Sequence, residues 1–352
     1  MAEGPAAAAN ARAPVQPGRS SPDSGADAAA LPPATERPPV ELQAPDITRW
    51  RAGNTGVDHV HAWDSGVPGP RVLLTALVHG NEICGAIALD ALLDEVAAGW
   101  RPRRGRLVVA FANVAAYERF DPANPFASRC VDEDLNRVWA DEVLLGPRDS
   151  VELRRARELR PFVDASDSVL DIHSMSEPCA PLMVCGTVDK NAVWARQLGL
   201  PEYLLVDTGH PAGLRMIERG PFGDPRAPER ALLIECGQHW ERAAADIAHD
   251  ALTRFLGLTG LADEAWVRRR IRLPLPPRQR LVRVTEAVVA ATPGFRFLVP
   301  AVGLGVVAKA GTPIAVDGDR TVQAPYDDTV LVMPGTRNLK PGATAVRLGR
   351  FE

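Results

Sequence analysis

The chain has 352 residues with 40 basic and 44 acidic side chains, a formal charge of −4, and 46% hydrophobic and 24% charged residues. This is a globular composition, long enough for one large domain and a smaller one. The slight acidic balance argues against a nucleic-acid-binding field, and no apolar run reaches the roughly 18 residues that a membrane helix needs. The periods of collagen and coiled coil are missing too. Cys84, Cys130, Cys179, Cys185 and Cys236 form an odd set without a C-x-x-C pair. That pattern argues against a disulfide framework and points to a reducing, cytoplasmic location.

Residues 1–45 are rich in Ala, Pro, Gly and Ser and carry almost no large apolar side chain, which predicts a disordered tail. From Asp46 onward strands and helices alternate. Val57–Trp63 reads as an edge strand and Val72–Val78 as a buried one. Ile83–Ala98 has helical apolar spacing stopped by Gly99, and Leu107–Ala112 is a second buried strand. Val151–Val163 suggests a charged helix and Val169–Ile172 a third core strand. Short strands follow at Leu182–Val184, Tyr203–Val206 and Leu232–Ile234, with helices at Ala192–Leu198 and Ala243–Leu256. The alternation predicts an α/β mixed sheet flanked by helices over residues 46–262. An Arg- and Pro-rich linker at 263–280 would lead into a small all-β, barrel-like domain at 281–352, where Gly and Pro break short β-rich runs.

His79-Gly80-Asn81-Glu82 follows directly on the strand VLLTALV and opens a helix. Ligands of open α/β sheets bind beyond the carboxyl ends of strands, so this is where a site belongs. An imidazole and a carboxylate at this spacing can share a zinc ion; alternatively, Glu82 only serves the helix N-terminus. Asp171-Ile172-His173 ends another core strand, and strand alternation puts Asp171 on the same face as His173, able to orient its ring. Glu235 ends the apolar run ALLIE. It is either one half of a structural ion pair or the base that hydrolysis requires. Arg129, Asn136 and Arg137 lie in the polar stretch SRCVDEDLNRVW, which reads as solvated charge or as a carboxylate and oxyanion clamp. His59 and His61 read as surface residues without an acidic partner, His210 as a loop residue and His249 as a helix-surface residue; His239 is open.

Taken together, VHGNE, NPFASRCVDEDLNRVW, VLDIHS and LIECGQ closely resemble the signature segments of the succinylglutamate desuccinylase/aspartoacylase family of zinc-carboxypeptidase-like amidohydrolases. The likeness runs from about Val72 to Leu256, and the β-rich tail resembles the β domain that follows in that family. It implies one Zn2+ per chain held by His79, Glu82 and His173, with Glu235 as the base and Arg129 polarising the scissile carbonyl. Asn136 and Arg137 would hold the substrate carboxylate, and Tyr326 would be the counterpart of a substrate-contacting tyrosine. The implied activity is hydrolysis of an N-acyl amino acid or related small amide, with a carboxypeptidase-type peptidase or a non-catalytic binding protein as alternatives. The implied partner is that small molecule, with no nucleic acid or membrane, and self-association is left open. Arg226 and Arg230 lie where an arginine for the acyl side would be sought, but neither has a clear register.

Overall fold

The computed structural model describes Met1, residues 37–337 and residues 339–352. The tail expected over 1–45 lies outside the described residues from 2 to 36. Residues 37–45 are described, and they pack rather than trail. Val40, Leu42 and Ala44 rest on the core, Glu41 N–H donates to the Trp240 carbonyl, and the Tyr117 hydroxyl donates to the Pro45 carbonyl. These few apolar side chains find a ready hydrophobic surface, which a composition count over the whole tail conceals.

The first half of the chain comprises β1 (Val60–Asp64), β2 (Arg71–Ala76), α1 (Ile83–Ala97), β3 (Arg106–Phe111), α2 (Val114–Tyr117), α3 (Asp141–Leu144), α4 (Val151–Asp164) and β4 (Ser168–Met175). Then come β5 (Leu182–Val184), α5 (Asp189–Leu198), β6 (Tyr203–Val206), β7 (Arg230–Gln238), α6 (Arg242–Leu258) and α7 (Glu264–Arg270). The C-terminal strands are β8 (Arg280–Val289), β9 (Arg296–Phe297), β10 (Val306–Val307), β11 (Pro313–Asp317), β12 (Arg320–Gln323), β13 (Thr329–Val332) and β14 (Thr344–Phe351). None of the described helices is long and apolar enough to cross a membrane.

Eleven strands form one mixed sheet in the order β1-β3-β2-β4-β7-β5-β6-β8-β14-β13-β10. Its centre, β3-β2-β4-β7, is parallel, so these strands end on a common edge. Side chains alternate between two cores. Val72, Leu74 and Ala76 of β2 join Leu170 and Ile172 of β4 beneath α1 and α6, while Leu73 and Val169 face Leu153 and Leu159 of α4. Helix α1 lies so close to the sheet that a Cβ on Gly85 would sit 2.7 Å from the Ala76 methyl carbon. Only glycine permits that approach.

The β-rich segment continues the same sheet. Strand β8 pairs in parallel with β6, and Leu281, Val282 and Val284 are buried in the cores of the α/β region. A smaller core around Ile314, Leu331 and Val346 supports the separate three-stranded sheet β12-β11-β9. The stretch expected as a linker contains α7, capped by Asp263 and packed through Trp266 against Trp100 at a ring separation of 5.0 Å. Truncation after Arg278 would uncover the edge of β6 and strip apolar partners from both large cores. Such a chain is expected to elute as aggregate in size-exclusion chromatography, and a monodisperse folded fragment would contradict this.

Candidate metal centre

Strand register brings the centre together. Ala76 at the end of β2 pairs with Ile172 of β4, and His173 pairs with Glu235 of β7. His79 and Glu82 follow β2 by a few residues, so three neighbouring strands deliver side chains to one point. Glu82 is 2% exposed and makes no side-chain cap to α1. Its carboxylate lies between two imidazoles instead, with Oε1 2.7 Å from His79 Nδ1 and Oε2 2.9 Å from His173 Nδ1. Oε2 also accepts the Ser174 backbone N–H at 3.2 Å. One ligand atom from each of His79, Glu82 and His173 falls within 4.8 Å of the others, a buried set able to hold a metal ion.

The outer nitrogens are fixed as a metal site requires. His173 Nε2 is 2.8 Å from Asp171 Oδ2, and Asp171 Oδ1 in turn accepts from the Thr75 hydroxyl at 2.7 Å. His79 Nε2 is 2.9 Å from Asp134 Oδ1. An acceptor at each Nε2 selects the tautomer that carries its proton there and turns the Nδ1 lone pair inward. The donor set therefore fits a divalent cation of the zinc type, two neutral nitrogens and one carboxylate.

Charge points the same way. Burial would push the Glu82 carboxyl up, yet His79 and His173 hold it well below its ordinary range. Burial would likewise lower His173, but Asp171 and Glu82 raise it well above the usual imidazole value. So much carboxylate around two imidazoles asks for a cation. Glu235 stands in this field with Oε2 buried and without a hydrogen-bond partner. Burial and the Glu82 charge raise it to about 8, while His173 and Arg129 pull the other way. The salt bridge that sequence left as its alternative role is not formed among the described residues.

The loop from 125 to 137 supplies the opposite wall. Arg129 follows a 3-10 turn, and its Nη2 lies 3.0 Å from Asp134 Oδ2 and 2.9 Å from His79 Nε2. Since His79 donates to Asp134, the last distance marks two donors gathered on one carboxylate. The Asn136 side-chain oxygen accepts the Met216 N–H at 3.1 Å, which leaves its amide nitrogen as the free end. Arg137 reaches Asp134 at 3.7 Å, and burial lowers its guanidinium to about 10. Gly80 ties this loop to the ligands: its N–H donates to the Arg129 carbonyl, and a Cβ there would lie 2.4 Å from backbone atoms of Ala116 and Tyr117. Its role is thus to let backbones touch. Trp240 closes the turn from below, donating from Nε1 to the Asn81 carbonyl at 3.0 Å.

His79, Glu82, His173, Glu235, Arg129, Asp134, Asn136 and Arg137 line one cavity of about 570 Å³. Tyr326 is not among its lining residues; its hydroxyl is 2.7 Å from Thr285 Oγ1 and its ring lies under Arg350. Arg226 is exposed on Asp224, and Arg230 is exposed at the start of β7, so neither reaches the cavity. His59 and His61, read as surface residues, are 5% and 9% exposed; His61 stacks on Trp63 and His59 meets Phe111 edge-on. His239 is buried in the cavity wall, 2.9 Å from Ser174 Oγ, and burial lowers it to about 3. Asp134 is the partner to which sequence reasoning gave no role, although it stands immediately before the LNR stretch.

One residue outside the cavity shapes it. Glu152, fully buried in the first turn of α4, accepts N–H groups from Val131, Asp132 and Glu133 and the Asn113 amide. It holds the backbone leading to Asp134, and these donors keep its carboxyl below the ordinary value despite burial. Glu152→Ala should cost about 2–4 kcal/mol, since four buried donors lose their acceptor. A depressed folded pKa stabilises above the unfolded value and ceases to do so as pH falls through the folded one. The difference in Tm between wild type and Glu152→Ala should therefore be full at neutral pH and shrink below about pH 4.5; a gap independent of pH would contradict the ionised role.

Residues 68–256, more than half of the chain, match the succinylglutamate desuccinylase/aspartoacylase catalytic domain. A succinylglutamate desuccinylase of Burkholderia pseudomallei is 35% identical over 34% of this chain, a span covering 35% of that relative. Another from Paraburkholderia xenovorans is 28% identical over 78% of this chain and 79% of its own length. In fold, the chain is similar to a succinylglutamate desuccinylase from Vibrio parahaemolyticus, with a TM-score of 0.60 at 17% identity, over 84% of this chain and 86% of that one.

Proposed function

We propose, from the premise that this chain belongs to the succinylglutamate desuccinylase/aspartoacylase family, that it is a cytoplasmic zinc-dependent amidohydrolase. Its substrate is an N-acyl amino acid or related small amide bearing a carboxylate, cleaved to a carboxylate and an amine. The observation that carries this reading is the meeting of His79, Glu82 and His173, from two strand ends, beside an unpartnered Glu235.

His79, Glu82 and His173 would hold the zinc ion, which when bound would supply Lewis acidity for a water and for the scissile carbonyl. Glu235 takes the proton from that water. Its buried carboxylate, without a hydrogen-bond partner, is free to hold that proton and then hand it to the departing nitrogen. The Arg129 guanidinium, anchored by Asp134, faces the oxygen on which negative charge develops. The Asn136 amide and Arg137 orient the substrate through its carboxylate, in the forked geometry that guanidinium offers. Buried Asp171 and Asp134 keep both ligand imidazoles in one tautomer throughout. Cys179, Gly303, Met333, Pro334, Gly335 and Thr344 add cavity walls that favour a small molecule over a polypeptide.

Glu235→Gln should retain about one zinc per chain by metal analysis and lose at least about 100-fold in kcat. Unchanged turnover would remove Glu235 from the proton path. Arg137→Ala should raise KM for carboxylate substrates roughly tenfold or more with a smaller change in kcat, and an unaltered KM would exclude the clamp.

A further inference from the structure

The strand that carries Glu235 does not run out evenly. β4 and β7 pair at His173 and Glu235, and again at Met175 and Gln238, with a shift of register between. Two steps along β4 thus match three along β7, so β7 bulges by one residue at Cys236 and Gly237. Gly237 has a φ of +114°, and a Cβ there would lie 2.3 Å from Glu241 Oε1. A bulge beside a reaction centre re-aims the side chains that follow it. Here it brings His239 into the cavity wall.

The turn beyond the bulge is fastened on several sides. His239 N–H donates to the Met175 carbonyl at 2.9 Å, Gln238 N–H to Glu241 Oε1 at 2.8 Å, and Trp240 N–H to Gln238 Oε1 at 2.9 Å. The Trp240 indole is tied to Asn81, and its carbonyl accepts the Glu41 N–H at 3.0 Å. That is more fixing than a turn needs to close, and it is what a preorganised contact requires.

His239 is 1% exposed, and its Nδ1 lies 2.9 Å from Ser174 Oγ. A buried hydroxyl proton needs an acceptor, and the Nδ1 lone pair is the one within reach among the described residues. Ser174 therefore donates to Nδ1, and the ring proton sits on Nε2. Burial, which lowers the ring to about 3, keeps it neutral. Nε2 bonds no described protein group and is not sealed in, so it opens on the cavity. After burial, the groups that act most strongly on the ring are Glu82, Arg129, His79 and His173, those of the reaction centre. A neutral N–H held there gains little from a neutral carbonyl and much more from an oxygen that turns anionic.

We propose that His239 is a catalytic residue that donates a hydrogen bond from Nε2 to the oxygen of the scissile amide, beside Arg129. Its proton stays on Nε2 throughout, and the Ser174 hydroxyl is the positioning group that fixes the tautomer. This inference rests on the amidohydrolase reading for its reaction.

The zinc-loaded full chain and its His239→Phe and His239→Gln variants are assayed on the N-acetyl, N-succinyl and N-butanoyl derivatives of L-glutamate and L-leucine. On the best-cleaved substrate, His239→Phe should lose roughly 30-fold or more in kcat, with KM within about threefold of wild type. His239→Gln, whose amide N–H can replace Nε2–H, should recover at least roughly fivefold of that loss. A phosphonamidate with tetrahedral phosphorus in place of the acyl carbon should lose affinity for His239→Phe in proportion to kcat/KM, while the released amino acid binds within about threefold of wild type. Imidazole nitrogen NMR shifts of the wild type should show His239 protonated at Nε2 and bare at Nδ1. Unchanged kcat in His239→Phe, an equal loss in both variants, or a protonated Nδ1 overturns the proposal. If the wild type cleaves none of the substrates, the amidohydrolase reading fails and takes the donor role with it. A wild type that cleaves them, with an indifferent His239→Phe, sinks the donor role alone.

Discussion

A single carboxylate, Glu82, is the point on which this molecule turns. It is removed from water, flanked by two imidazoles, and held at the foot of a helix whose N-terminus it does not cap. Ionised acids are seldom left in such a place without compensation. Here the compensation is built outward in layers: His79 and His173 face Glu82, Asp134 and Asp171 face the imidazoles, and Thr75 and Arg129 face those aspartates. Each layer alternates in charge or hydrogen-bonding sense, so removing any member leaves its neighbours unsatisfied. The arrangement is costly for a protein that only needs to fold, and economical for one that must present three donor atoms to a cation.

The sheet makes those layers possible. Parallel pairing of β2, β4 and β7 puts three carboxyl ends on one edge, and register aligns His173 with Glu235. Side-chain alternation then sends Asp171, His173 and Glu235 to the face shared with α4. From that same helix Glu152 reaches up to gather the backbone of residues 131–133. The His79–Glu82–His173 cluster and the cavity arginines thus share one scaffold, although more than a hundred residues separate the first from the last.

Much of this was readable from the sequence, for a physical reason: apolar runs mark buried strands, and a polar residue ending such a run must have a partner. That logic located His79, His173 and Glu235 together with the strands that carry them. It worked less well where a position is defined by distant contacts. Asp134 looks like ordinary loop charge until His79 is seen beside it. His59 and His61 looked exposed because alternation in an edge strand says nothing about what covers it; in the fold, Trp50 and Trp63 enclose His61. Arg347 lies in a β-rich stretch whose sheet register no local pattern reveals, and only the pairing of β8 with β6 brings it to the cavity. Tyr326, placed by a motif-level match, lies outside the cavity lining and bonds Thr285 instead.

The continuity of the sheet into its last strand has a temporal meaning. During synthesis, every ligand of the metal centre has left the ribosome well before β14 is translated. The wall of the cavity that carries Arg347 belongs to β14 and arrives more than a hundred residues after Glu235. A nascent chain can therefore bring together the place where a cation would sit before the cavity wall carried by β14 exists.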